Sequence, residues 1–194
     1  GAMFFHHAMA MLDDRDGAAD AMENALFNGV LSGASVGGTR YFYESPLKTD
    51  GTHHRFHWFW CPCCPPMYLK AVSAIPALMY ARRGDLLSVN LYGDSIAAFE
   101  VDGKRVVLEQ STDYPWDGDV AIRVRAEEEA RFTLRLRVPK WCRTAELFLE
   151  GDAPRTAVGG EWFVVSRTWR GTETLLIHLA MPLERVVADA RVEA

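Results

Sequence analysis

The chain has few cysteines, no excess of positive charge, no internal repeat and no uninterrupted apolar run of membrane length. Each absence excludes something. A spanning helix needs about 20 consecutive apolar residues; none occurs here, so no membrane partner is expected. A net charge of −5 offers no basic footprint, so nucleic acid is not an expected partner either. The opening residues Gly1 to His7 show no basic region and no cleavage pattern, so no secretory signal is read there. The four cysteines are Cys61, Cys63, Cys64 and the distant Cys142. A disulfide framework would spread its cysteines along a short chain. What is present is apolar content of 49% over 194 residues, enough for one large or two small globular domains.

The densest chemistry lies in Cys61-Pro62-Cys63-Cys64-Pro65-Pro66. Adjacent cysteines rarely pair with each other, because disulfide geometry is demanding. Proline suits the first helical turn, so the helix-compatible run from Met67 to Tyr80 predicts that Cys63 and Cys64 sit at or just before a helix N-terminus. Partial positive charge and unpaired N–H groups there favour a thiolate, which is both a metal ligand and a nucleophile. The cluster therefore reads as reduced thiols in a metal-bound or catalytic role, with inert thiols on a packed turn as the alternative. C-x-C-C is not by itself a complete zinc site, which usually has four ligands. Reduced cysteines also point to the cytoplasm.

Two regions differ in period. Over residues 1–83, Phe4, Phe5, Ala8, Met9, Met11 and Leu12 form a helical stripe that ends at Asp13-Asp14-Arg15-Asp16-Gly17. Ala18, Ala21, Met22, Ala25, Leu26, Val30 and Leu31 form a second, ended by Gly33 and Gly37-Gly38. Thr39 to Tyr43 reads as a short extended piece, and Asp50 to Trp60 as a loop rich in histidine and aromatic residues. A third helix is expected from about Pro65 to Arg82, stopped by Gly84. From residue 84 to 194 the period becomes two, as in Val120-Ile122-Val124 and Phe132-Leu134-Leu136-Val138. Turn signals such as Asp102-Gly103 and Gly159-Gly160 separate many short strands, which predicts an antiparallel β-sandwich or barrel. The expected class is α+β. Three helices bury two-sided apolar faces poorly by themselves, and Phe56 with Trp58, Phe59 and Trp60 adds more apolar surface, so self-association is expected.

Other candidates are weaker. His53, His54 and His57 precede the cysteines; imidazole suits zinc and sugar hydroxyls, and a solvated loop is the alternative. His57, four residues before Cys61, is the best stand-in ligand among them. His6, His7 and His178 read as structural or surface groups. Glu23 sits among core-like Met22, Ala25 and Leu26, where a solvent-facing glutamate is the usual explanation. Alternation puts Tyr41 and Tyr43 on one face and Phe42 on the other. Trp116, Trp141, Trp162 and Trp169 offer either sandwich-core packing or a carbohydrate platform. Asp113, Asp117 and Asp119 read as a solvated turn, with calcium as the alternative.

Five segments in order carry a resemblance: Met22 to Gly33, Tyr41 to Leu47, Cys63-Cys64-Pro65-Pro66, Asp113 to Gly118, and Arg137 to Cys142. Together they resemble glycoside hydrolase family 127, the β-L-arabinofuranosidase family. The resemblance implies an (α/α)6 toroid bearing the active site, followed by β-sandwich domains. It implies a zinc-bound cysteine thiolate that attacks the anomeric carbon with retention, while a carboxylic acid protonates the leaving oxygen. By that match Cys63 is nucleophile and zinc ligand, and Cys64 is zinc ligand. Glu23 and Tyr43 would line the sugar pocket, with Cys61 beside the substrate or serving as a third ligand. Such a thiolate would replace the nucleophilic carboxylate of an ordinary retaining glycosidase. In the family the remaining ligands, a Glu and a Cys, precede the segment matching Gly1, and the acid/base lies further upstream. Met67 and Ser45 stand where the family usually or often has Asn.

The expectation is therefore the C-terminal part of an incomplete toroid (1–83) plus a β-sandwich (84–194), inactive alone, from an enzyme acting on an arabinofuranoside or related oligosaccharide. Two other classes compete with it. One is a non-catalytic carbohydrate-binding or interaction module. The other is a small zinc-binding structural domain built on Cys61, Cys63, Cys64 and His57.

Overall fold

The structure, a computed structural model, describes residues 1–192 apart from 14–16, 45, 47 and 58–62. Helix α1 spans Ala2–Asp13 and α2 spans Ala18–Asn24. Gly17 starts α2 in the left-handed region (φ 102°), and a Cβ there would stand 2.6 Å from Lys140 Nζ, so glycine suits the position twice over. The α2 axis continues through a wide π turn, Ala25–Val30, and a 3-10 turn, Leu31–Gly33. Helix α3 spans Pro65–Met79.

The third helix is shorter than its composition suggests. Tyr80 leaves helical geometry (φ −129°, ψ 152°), and Tyr80–Arg83 becomes strand β1. Ala81 and the arginines are good helix formers, but pairing of Tyr80 with Val89 and Arg83 with Leu86 overrides local preference. Gly84 (φ 61°) makes the hairpin turn rather than a helix stop.

The remaining strands are β2 (Leu86–Val89), β3 (Ser95–Val101), β4 (Lys104–Thr112), β5 (Asp119–Arg137), β6 (Ala145–Leu149), β7 (Arg155–Ala157) and β8 (Trp162–Leu179). Together they form the β-sandwich that follows the helices. The long strands β5 and β8 are antiparallel along their length, with a register shift between Ala126 and Ala130. That bulge divides them, as extra residues locally bend a strand. The first half of β5 pairs with β4, and the second half with β2. The β2–β5 pair is parallel, an exception within an otherwise antiparallel arrangement. Inward-facing Ile122, Val124, Phe132 and Leu134 from the two halves are all essentially inaccessible and share one core.

A second, smaller core gathers Met3, Met22, Leu26, Ala71 and Leu78 from the helices and Leu91 from the sandwich. Phe5, Met67 and Leu69 remain at least half exposed on the helical layer. No helix among the described residues is long and apolar enough to cross a membrane.

Candidate functional site

Cys64 is the N-cap of α3, with Pro65 and Pro66 in the first turn, so the expected placement of the cysteines at a helix start holds. One part of the expected chemistry changes. Proline has no N–H, and the next donor, Met67 N–H, already bonds the Cys64 carbonyl at 2.9 Å. The first turn therefore offers the sulfurs the helix field without the row of unpaired N–H groups.

Cys63 Sγ and Cys64 Sγ lie 3.7 Å apart, within reach of a thiol hydrogen bond and not joined as a disulfide. Two sulfurs each about 2.3 Å from a tetrahedral zinc would be about 3.8 Å apart. The pair thus already spans one edge of such a site. Among the described residues no cluster of three or more His, Cys, Asp or Glu side chains stands ready to hold a metal. Cys61, and Trp58, Phe59 and Trp60 with it, lie outside the described residues.

Tyr43 is brought to the same place. The chain returns through bridges of Tyr41 with Ala34 and with Phe56, which fixes the extended piece beside the 3-10 turn. Tyr43 Oη then lies 2.6 Å from Cys63 Sγ. The hydrogen bond to Cys63, helped by Cys64, pushes the Tyr43 phenol above the ordinary tyrosine range. Either the Tyr43 hydroxyl or a Cys63 thiol can donate at this distance; toward a thiolate the hydroxyl is the donor. His53 is used in holding the loop: it stacks on Phe42 at 4.9 Å and its Nε2 lies 2.8 Å from the Glu44 carbonyl. A cavity of about 250 Å³, lined by Tyr41, Phe42, Cys64, Met67 and Tyr68 among others, adjoins the cysteine pair.

Glu23 is in a different place. It is buried, and its Oε1 accepts hydrogen bonds from Arg137 Nη2 (2.6 Å) and Tyr114 Oη (2.7 Å). Asp20, one turn earlier on α2, accepts from Arg137 Nη1 (2.9 Å) and from the Lys140 amide (2.7 Å). Arg137 Nε completes the arrangement by donating to the Asn90 carbonyl at 2.7 Å. Burial opposes the charge of Arg137, but Glu23 and Asp20 outweigh it and raise its pKa. Burial, then Glu23, pushes the Tyr114 phenol far up, so Tyr114 is the donor in its bond to Glu23.

Glu23 lines a second and larger cleft of about 890 Å³ between α2 and the sandwich. That cleft shares no lining residue with the cavity beside Cys64. The structure thus joins Tyr43 to Cys63 and Cys64 and separates them from Glu23 by the Ala25–Val30 turn. Asp20, Arg137 and Tyr114 were not singled out as functional groups from sequence. The i, i+3 spacing of Asp20 and Glu23 was a signal for a shared helix face.

The tryptophans divide. Trp169 is core, stacked on Phe132 at 5.2 Å, and Trp162 carries the Arg135 guanidinium at 4.2 Å. Trp116 and Trp141 are exposed. Asp117 accepts from the Asp119 amide and Asp119 pairs with His178 at 2.6 Å, so these aspartates organise a turn.

Comparison with known proteins agrees with this architecture. Residues 1–77 match the family model described as Beta-L-arabinofuranosidase, GH127 catalytic domain, and residues 86–181 match the GH127 middle domain. The chain is 28% identical to the non-reducing end beta-L-arabinofuranosidase of Bifidobacterium longum subsp. longum, over 98% of this chain and 31% of that protein. It superposes on a crystal structure of a GH127 beta-L-arabinofuranosidase from Geobacillus stearothermophilus T6 with a TM-score of 0.86 at 33% identity, covering 97% of this chain and 32% of that one. A second solved structure, a glycoside hydrolase, gives 0.84 at 30% identity over 93% of this chain and 32% of its own. The chain spans about a third of the length of the relatives it matches.

Proposed function

We propose that this chain, which belongs to glycoside hydrolase family 127, supplies the nucleophile of a retaining β-L-arabinofuranosidase, with Cys63 attacking the sugar and Cys63 and Cys64 together presenting two ligands to zinc. The observation that carries the reading is the convergence on Cys63: Cys64 Sγ at 3.7 Å and Tyr43 Oη at 2.6 Å, beside the start of a helix.

When bound, zinc would hold the sulfurs as thiolates near neutral pH and fix their direction. Cys63 and Tyr43 supply this chain's share of the chemistry. The Cys63 thiolate attacks the anomeric carbon, forming a C–S bond as the C–O bond to the leaving group breaks. A carboxylic acid from outside residues 1–194 gives that oxygen its proton. Water, deprotonated by the same carboxylate, then attacks the anomeric carbon; the C–S bond breaks and returns the electron pair to Cys63. Two inversions give retention, as in glycosidases that use two carboxylates. Tyr43 steadies the sulfur by donating a hydrogen bond, which is strong toward an anionic acceptor. Its exposed hydroxyl is also the group proposed to meet a sugar hydroxyl.

On this reading residues 1–194 alone do not turn over substrate. An aryl β-L-arabinofuranoside incubated with the chain should release no aglycone, whereas the whole enzyme should, with overall retention by NMR of the first-formed sugar. Turnover by residues 1–194 alone would place the acid/base within this chain and overturn the assignment.

A further inference from the structure

We propose that the cleft between α2 and the sandwich is a carbohydrate-binding site separate from the cysteine site, with Trp141 as its platform and Glu23 as its hydroxyl acceptor. Its volume, about 890 Å³, lies in the range of ligand sites and accommodates more than one sugar ring.

The chemistry of the walls selects the ligand. Trp141 is 45% exposed, and Tyr114 stacks against it at 6.3 Å with ring planes 25° apart, which holds the indole in place. A rigid aromatic face of this kind takes the C–H face of a sugar ring. Behind it, Glu23 is 5% exposed yet lines the cleft. Arg137 and Tyr114 both bond its Oε1, and among the described residues no hydrogen bond reaches Oε2. Oε2 is not among the buried polar atoms left without a partner, so it remains open to solvent on the cleft side with acceptor capacity to spare, and a neutral hydroxyl can use that capacity without adding charge. Asn24 and Asn28 line the same wall; the Asn28 amide donates to Asn24 Oδ1 at 2.5 Å, which leaves the Asn24 amide and the Asn28 side-chain oxygen outside that bond. Asp20 and Glu23 are neutralised in part by Arg137, and Glu184 pairs with Arg143, so the cleft carries no strong net charge and suits a neutral ligand. A neutral polyol ring with one apolar face fits all of these features.

The cleft is tied to the fold rather than to a mobile surface. The Arg137 bonds hold Glu23, and the Gly159 backbone lies under the turn that carries Trp141: a Cβ on Gly159 would stand 2.5 Å from the Cys142 carbonyl and 2.7 Å from that of Lys140. Naming the sugar as an arabinofuranosyl unit rests on the proposed function; the existence of the site does not. The site would hold a second part of a glycan while another part is cleaved, or retain the enzyme on a polymer.

The test is titration of residues 1–194 with methyl β-L-arabinofuranoside and with an arabinofuranosyl disaccharide, read by tryptophan fluorescence and by NMR chemical shifts. The expected result is saturable binding with Kd on the order of millimolar, tighter for the disaccharide. Trp141→Ala should weaken it about tenfold or more, and Asn28→Ala, an exposed substitution that leaves the aromatic pair intact, should weaken it several-fold. Trp116→Ala, outside the cleft, should leave it unchanged. Absence of saturable binding overturns the proposal. Binding that survives Trp141→Ala and Asn28→Ala but is lost in Cys63→Ser also overturns it, while leaving the cysteine reading standing.

Discussion

Glu23 and Arg137, 114 positions apart in sequence, meet at 2.6 Å with both side chains almost wholly withdrawn from water. This pair, with Asp20 at 2.9 Å, fastens the helical layer to the sandwich. A buried charge that loses its partner costs far more than an exposed one. Arg137→Met should therefore lower unfolding free energy by about 3–5 kcal/mol in urea titrations. A loss below about 1 kcal/mol would mean that the two layers are held by other contacts.

The same region gives the fold an alkaline limit. Burial raises Tyr92 above the ordinary tyrosine value of 10.0, and burial followed by Glu23 raises Tyr114. The unfolded chain releases these protons near pH 10, while the folded chain holds them. The folded state thus binds more protons above pH ~10, and stability falls as pH rises there; below pH ~10 the contribution is fully present. Urea midpoints measured from about pH 8 to pH 11 should be level and then decline. Tyr114→Phe should flatten the decline; an unchanged slope would remove Tyr114 from the linkage.

Gly159 sits under the carbonyls of Pro139, Lys140 and Cys142, the last of which would be 2.5 Å from an added Cβ. All three neighbours are backbone, so none can swing aside. Gly159→Ala should cost about 1–3 kcal/mol by overpacking, and it should also alter the emission of Trp141. A variant as stable as the parent would show that the 139–142 turn is free to shift.

The cysteine pair can be read spectroscopically in this chain alone. Cobalt(II) bound by thiolates gives ligand-to-metal charge-transfer absorbance. The band should fall with Cys64→Ser, disappear with Cys63→Ser/Cys64→Ser, and persist with Cys142→Ser, since Cys142 is buried beside the Thr144 carbonyl. A band untouched by the double substitution would place the metal elsewhere.

Much of the fold was legible because local and global preferences agree. Alternation in Phe132-Leu134-Leu136 marks a strand with one buried face, and that face is the sandwich core. Arg137 follows on the opposite face, where alternation reads it as solvent-facing; it is buried because α2 covers that side. No local rule carries that information. The end of α3 departs from local preference for a similar reason, since Tyr80–Arg83 are helix-compatible until β2 pairs with them. The parallel β2–β5 pairing is likewise set by partners 47 positions apart, Leu86 and Thr133 among them.

At the site, the double cysteine and the prolines marked a helix start, and Cys64 caps α3 as that pattern implies. The approach of Tyr43 to Cys63 depends on the 34–41 and 41–56 bridges, and the family resemblance gave Tyr43 only a place in the sugar pocket, not this contact. Glu23 shows the opposite case. Among its apolar neighbours a solvent-facing glutamate is the usual reading, and only the tertiary structure reveals that it is buried and engaged by Arg137 and Tyr114.

The account turns on Cys63 as nucleophile. The most direct measurement is peptide mass spectrometry of the whole enzyme, quenched in acid during turnover of an activated aryl β-L-arabinofuranoside. The account predicts a pentosyl adduct on the peptide containing Cys63, absent in Cys63→Ser, which should also lose activity. An adduct on an Asp or Glu side chain, or full activity in Cys63→Ser, would contradict it.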